Sequence, residues 1–315
     1  MNYGFDETGK YWVEFKSSSR PVGNMREEHE RRAREIADSS DNIWISLSGG
    51  VDSQAMLHSF HLLGKPVQCL FMHLPGYNDN EYEQVKILEQ KYKFKANIVS
   101  FDIMSMEEEI VSLSDSSNVL NRAHVLQSRM LKYIPDDCDY LQMNHDPFVW
   151  VNPQTGKSFY FHGYHRPETA RARMFEMMGR SGRNIFWGDT PEFLCSILND
   201  SVFKGAIHTA RYFDQSGLSH PTKFLTTVDR WDMFIKPIIY GKYWQDELIY
   251  FPKFAGSENV SFLKGYSKPM FEREHAVIVP YFEFCDFLKR GDGSTWRISA
   301  NVPYEPDKYI KKSDG

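Results

Sequence analysis

The chain has 315 residues, of which 41% are hydrophobic, 25% charged and 15% aromatic, and its net charge is −5. These values describe a globular protein able to bury a proper core, in one large domain or two ordinary ones. A slightly acidic balance gives no global attraction to nucleic acid or to an anionic membrane surface.

Cys69, Cys138, Cys195 and Cys285 stand far apart and form no Cys-x-x-Cys pair. That spacing argues against a disulfide framework or a zinc knuckle and fits a reducing, cytoplasmic setting. No apolar run approaches the about 20 residues that span a bilayer, so no membrane partner is expected. The opening MNYGFDETGKYWVEF lacks the basic-then-apolar pattern of a secretory leader.

In chain order, residues 1–39 read as an N-terminal extension and lead-in helix, with Tyr11–Phe15 suited to a short edge strand. Residues 25–38 are helix-forming and heavily charged, and their Glu/Arg spacing predicts a solvated face in which His29 lies at the surface. Ile43 to Leu47 reads as a buried strand. A turn at Ser48, Gly49 and Gly50 follows, then a helix with Met56, Leu57, Phe60 and Leu63 on one face. Paired glycines let the backbone approach a bulky anion. The helix start adds unpaired N–H groups and a positive dipole end. The expectation is a phosphate or pyrophosphate cradle edged by Ser48 and Ser53, and not a Walker loop, because no lysine closes the turn.

The stretch Ser48-Gly49-Gly50-Val51-Asp52-Ser53 resembles the SGGxDS signature of the PP-loop ATP pyrophosphatases. A helix leading into a strand and this loop also resembles the entry to the synthetase domain of asparagine synthetases. The resemblance implies an α/β fold with a doubly wound parallel sheet, adenine nucleotide alpha hydrolase-like (HUP-type), over residues 40–250. It implies ATP and Mg²⁺ as cofactors. Ser46, Ser48, Gly49, Gly50, Val51, Asp52 and Ser53 would then hold the nucleotide, with Asp52 orienting the metal directly or through water. Position 2 is Asn, whereas glutamine-dependent relatives often begin with a cysteine nucleophile, so no fused amidotransferase is expected.

Beyond the first helix, Val67 to Leu74 is nearly all apolar, as a parallel strand covered on both faces should be. It ends at His73, placed either to face adenine or ribose or simply to close the strand. A helix over about 80–92, with Tyr82, Val85, Ile87 and Leu88 as its apolar side, and a strand over 96–103 complete the alternation. That alternation by itself argues for a parallel, doubly wound sheet. Residues 122–133 read as a helix with Arg122 and Arg129 on one face, aimed at phosphates or at solvent. Tyr140 to Asp146 reads as a fourth strand ending in Asn144, His145 and Asp146. These match part of a polar cluster that the family places near nucleotide and metal.

Residues 147–235 read as a substrate-side insertion. A hairpin turn at Pro153–Gly156 separates two aromatic runs, and a helix starts near Pro167. Arg166, Arg171, Arg173, Arg180 and Arg183 outnumber Glu168 and Glu176 there; Arg166, Arg171 and Arg173 are candidates for an anionic substrate, with a solvated face as the other reading. His162 and His165 have no third ligand spaced to join them. The run from Phe234 to Ile249 resembles a late segment of the family. By that resemblance Lys236 and Lys242 are catalytic cations, followed by a helix that starts at Glu247 and Leu248. Residues 251–315 form an aromatic extension expected to pack over the sheet or to mediate homo-oligomer contacts.

The resemblance implies an enzyme that splits ATP to AMP and pyrophosphate to activate a small-molecule or nucleobase substrate, as amide-forming ligases do. A sulfonucleotide reductase, a tRNA thiolase and a non-catalytic nucleotide-binding protein are the alternatives. The reductase would need a reactive late cysteine, and Cys285 sits among apolar residues.

Overall fold

The chain enters through two strands, Asn2–Phe5 (β1) and Tyr11–Lys16 (β2), and then forms a long helix, Met25–Ser39 (α1). The structure is a computed structural model. It describes residues 2–8, 10–117, 122–143, 147, 149–151, 157–163, 167–186, 190–207, 235–251, 263, 275–300 and 302–303. In α1 the Asn24 side chain accepts from the Glu27 amide while the Glu27 carboxylate accepts from the Asn24 amide, a reciprocal cap that sets the helix start. The expected solvated face exists on one side, with Arg26–Glu30 and Arg32–Glu35 pairs. The other side is buried through Met25, Glu28, His29, Ala33 and Ile36. His29 therefore lies in the core, not at the surface, ringed by Phe186, Phe193 and Trp244.

The central sheet comprises Ile43–Ser46 (β3), Gln68–His73 (β4), Asn97–Ser100 (β5) and Asp139–Leu141 (β6), all parallel. Val51–Leu62 (α2) connects β3 to β4, and Asp79–Tyr92 (α3) connects β4 to β5. Glu107–Ser117 (α4) and Arg122–Ser128 (α5) lie between β5 and β6. Strand order is β5-β4-β3-β6, so the chain steps outward from β3 and later returns to its other side. The strand order reverses between β3 and β6, and open α/β sheets bind ligands at the carboxyl ends of strands at such a point. This is the α/β parallel sheet that the alternation predicts. Helix α2 departs from its expected single apolar face: Val51 and every residue from Ser53 to Phe60 are buried, as befits a helix enclosed by neighbours. Ile87, expected on the apolar side of α3, is 45% exposed, while Val85 and Leu88 fill the core.

Two antiparallel sheets complete the fold. Val149–Val151 (β7) and Ser158–Gly163 (β8) form the predicted hairpin, whose turn lies outside the described residues. Two helices follow, Pro167–Met177 (α6) and Pro191–Leu198 (α7). Further along, Lys236–Trp244 forms another helix (α8). The C-terminal segment then supplies His275–Pro280 (β9), Tyr281–Leu288 (α9), Thr295–Ser299 (β10) and Val302–Pro303 (β11). Strands β11-β9-β8-β7 make one sheet and β1-β2-β10 the other. Strand β2 is thus central rather than at an edge, because β10 covers its second side in register from Thr295↔Lys16 to Ser299↔Trp12. The sheets meet through Phe15, Tyr160 and Phe284, with ring centroids 4.5–6.0 Å apart, and through Tyr11 Oη and His162 Nδ1 at 3.1 Å. After α6 the chain passes β6 closely at Gly182 (φ +95°). A Cβ there would lie 2.4 Å from the Cys138 carbonyl oxygen, and Tyr140 then donates to the Arg183 carbonyl at 2.8 Å.

Candidate functional site

The backbone leaves β3 at the switch point and turns at once into α2. Gly49 adopts φ +73°, and a Cβ there would stand 2.8 Å from Gln84 Oε1 and 3.0 Å from Gln84 Cβ. Conformation and space both demand glycine. Gly50 is the N-cap and offers no side chain, so the helix start is uncapped. Among the described residues the amides from Gly49 to Ser53 carry no hydrogen-bond partner. Ser53 donates to the Gly50 carbonyl at 2.9 Å and accepts from the Ser48 amide at 3.3 Å, and the two hydroxyls are 3.3 Å apart. The serines therefore brace the turn. Ser48 keeps an exposed side chain, Ser53 and Val51 are buried, and Ser46 sits half-buried at the strand end.

Asp52 projects from the first turn of α2 and is held from α8. Tyr240 donates its hydroxyl to Asp52 Oδ1 at 2.7 Å, and the Lys236 ammonium pairs with Oδ2. The Lys236 side chain is only 7% exposed and that of Asp52 17%. The structure thus brings together Asp52 and Lys236, but not Lys242. That ammonium lies 2.9 Å from Asp200 Oδ2, beside the Tyr243 ring, further along α8. The late segment also differs in local form. Its helix is Lys236–Trp244 itself, and it ends at Gln245 with φ 47° instead of starting at Glu247.

Sequence reasoning did not find Tyr240 or Gln54. Gln54 donates to the Gly49 carbonyl at 2.8 Å and to the Ile249 carbonyl at 2.7 Å, and accepts from the Ile249 amide at 3.0 Å. One turn on, His58 Nε2 meets Glu247 Oε2 at 2.7 Å, and Arg26 reaches the other Glu247 oxygen at 2.9 Å. Gln54 and His58 together dock residues 247–249 against the loop. The available signal was polarity at i and i+4 within an otherwise buried helix, because buried polar groups must find partners.

His73 does reach the same sheet edge. Its Nε2 lies 2.8 Å from Asp79 and its Nδ1 3.2 Å from Ser100, and its ring stacks on Tyr82 at 4.6 Å. The hydrogen bond from His73, followed by that from the Gly76 amide, holds the Asp79 carboxyl below its usual value. Asn144, His145, Asp146 and Arg166 lie outside the described residues, as does the Arg173 side chain. Arg171 is buried on α6, with Nη2 donating to Gln127 at 3.0 Å. The Arg129 guanidinium pairs with Glu109. Cys285 is 2% exposed, and burial pushes its thiol up to about 12, the opposite of an activated nucleophile.

The donor set suits a phosphate group, with free amides converging at a helix start where a Cβ would intrude. Asp52 suits Mg²⁺, which is usually bound by one or two carboxylates together with phosphate oxygens. Among the described residues no three His, Cys, Asp or Glu side chains gather to form a metal cage, and no helix is long and apolar enough to cross a membrane.

Fold and site define a mixed α/β protein whose parallel sheet carries a glycine-turn strand–loop–helix unit at its switch point. No protein-family model matches the chain, and no curated protein sequence matches it. Among solved structures it is similar to an NH3-dependent NAD synthetase from Campylobacter jejuni subsp. jejuni NCTC 11168 in complex with nitrate ion. Identity is 12% and the TM-score 0.35, with 80% of this chain and 96% of that one covered. It is also similar to an NMN synthetase from Francisella tularensis, at 12% identity and TM-score 0.32, covering 76% of this chain and 93% of that one.

Proposed function

We propose that the chain is an ATP-using enzyme that transfers an adenylyl group to a small-molecule or nucleobase acceptor and releases pyrophosphate. One observation carries this reading. An uncapped helix start with partnerless amides stands beside a carboxylate that two α8 side chains hold in place. The amides and Ser48 would take the β and γ phosphates, at the helix end whose dipole favours negative charge. Mg²⁺ would supply Lewis-acid neutralisation of the phosphate oxygens when bound.

This chain's residues do the rest by position and charge. Asp52 would accept the metal, and in doing so release Lys236, whose ammonium then offsets charge gathering on the departing pyrophosphate. Tyr240 keeps the carboxylate aimed throughout. Gln54 and His58 hold residues 247–249 against the loop. The buried Cys285 argues against a reductase that works through a late thiol.

The test is incubation with ATP, Mg²⁺ and a metabolite extract, following AMP and pyrophosphate. Stoichiometric release that depends on the extract supports the enzyme. ATP binding without turnover supports a nucleotide-binding interaction protein, and no binding ends both readings.

A further inference from the structure

A cavity lined by polar residues opens away from the loop. It measures about 840 Å³ and lies between the segment at residues 18–24, the C-terminal turn of α7 and the end of α8. That volume falls in the range of small-molecule sites, about 300–1,000 Å³. Asp200 forms its floor: the side chain is 2% exposed, accepts from the Val202 amide at 2.7 Å, and is paired with Lys242 at 2.9 Å and with the Tyr243 hydroxyl. Burial works to raise this carboxyl, but the hydrogen bonds from Tyr243 and Lys242 outweigh it and hold it below its usual value.

With the carboxylate so covered, the cation is the part left open. Lys242 is 39% exposed, and Lys289 lines the same cavity with no ion pair among the described residues. Arg20 lines it as well, but its guanidinium is spent on Glu28 at 2.6 and 3.0 Å. Two polar atoms on the walls, Ser18 Oγ and Asn199 Oδ1, are buried without a partner among the described residues, and Ser18 is only 1% exposed. A buried group left unpaired costs about 1–3 kcal/mol. A ligand that completes it removes that cost.

We propose that this cavity binds a small polar molecule through an anionic oxygen group, carboxylate or phosphate, seated between Lys242 and Lys289, with its other hydrogen-bonding groups reaching Ser18 and Asn199. Tyr243 lies seven residues beyond Lys236 on α8, so the two sites share one helix about 10 Å apart along its axis. The cavity's lining shares no residue with the loop, so its binding test does not rest on what the loop binds.

The full-length protein, free of nucleotide, is titrated with inorganic phosphate and separately with succinate at constant ionic strength, followed by ³¹P and ¹H NMR of the probes. Saturable binding of at least one probe is expected, weakened about tenfold by Lys289→Ala and abolished by Lys289→Glu. Both substitutions fall on an exposed side chain. Binding of phosphate alone marks a phosphate-bearing ligand, and binding of succinate alone marks a carboxylate. If neither probe saturates, or if both variants bind as the parent does, the proposal is overturned.

Discussion

Helix α8 serves two aspartates with the same chemistry and opposite exposure. At one end Lys236 and Tyr240 hold Asp52; at the other Lys242 and Tyr243 hold Asp200. In the first group the lysine is buried, at 7%, and the carboxylate is the more open partner, at 17%. In the second the carboxylate is 2% exposed and the lysine 39%. An ion pair presents to a visitor whichever member faces water. The Asp52 group therefore offers an anion and invites a cation, while the Asp200 group offers a cation and invites an anion. Residue type alone does not separate the two.

The largest expected effect comes from removing the open carboxylate. Asp52→Asn should lower pyrophosphate release about a thousandfold, or about 4 kcal/mol, in a single-turnover assay. Asp52→Ala should not leave stability untouched, since it removes the carboxylate that faces a buried ammonium, at a cost of about 3 kcal/mol. Urea unfolding of Asp52→Ala and of Asp52→Ala with Lys236→Met checks this, and the double variant should regain most of the loss. Equal midpoints for all three proteins would show that the pair contributes nothing.

Gly49→Ala comes next. The left-handed backbone costs about 1–2 kcal/mol for any other residue, and the displaced Gln84 side chain adds to it. ATP affinity by calorimetry should fall with stability, and a variant that binds normally would remove the loop from the reading. Gln54→Leu should cost about 2 kcal/mol through hydrogen bonds lost to Gly49 and Ile249. It should also raise amide exchange at residues 247–251 more than elsewhere. Unchanged exchange there would show that the segment is held by something else.

The smallest effects concern protonation and aim. Burial, and then the charge of His58, hold His29 well below the ordinary imidazole value. The unfolded chain takes up that proton near pH 6.5 and the folded one does not. Stability is therefore full above that pH and falls as pH drops below it, by at most about 1.4 kcal/mol per unit for this group. Thermal unfolding between pH 7.5 and 5.5 should show the slope, and His29→Leu should flatten it. Tyr240→Phe removes one hydrogen bond to Asp52, about 1 kcal/mol, and should raise the Mg²⁺ needed for half-maximal rate about fivefold with little change at saturation. A fall in the saturated rate alone would make Tyr240 more than a positioning residue.

Much of the fold was legible because its signals are local. Ile43–Ser46, the apolar run at β4 and the glycine turn each declare themselves within a few residues. His29 was misplaced because Glu and Arg neighbours in sequence announce a surface, while the ring packs on Phe193 and Trp244 from distant elements. The family resemblance of the late segment pairs Lys242 with Lys236 in one role, yet the two stand six residues apart. On a helix that spacing turns the second side chain well away from the first, and Asp200 was waiting there. Tyr240 and Gln54 act across 188 and 195 residues of chain, a separation no local pattern spans.

By itself the sequence determined a parallel α/β sheet and a turn fit for an anion, because strand period, helix period and left-handed glycine are properties of neighbouring residues. Tertiary structure alone decided which cation meets which carboxylate, which member of each pair stays open, and that the two ends of the chain close on each other as β2 and β10. Those outcomes depend on burial and on contacts between residues far apart in the chain, and they exist only once the elements have packed.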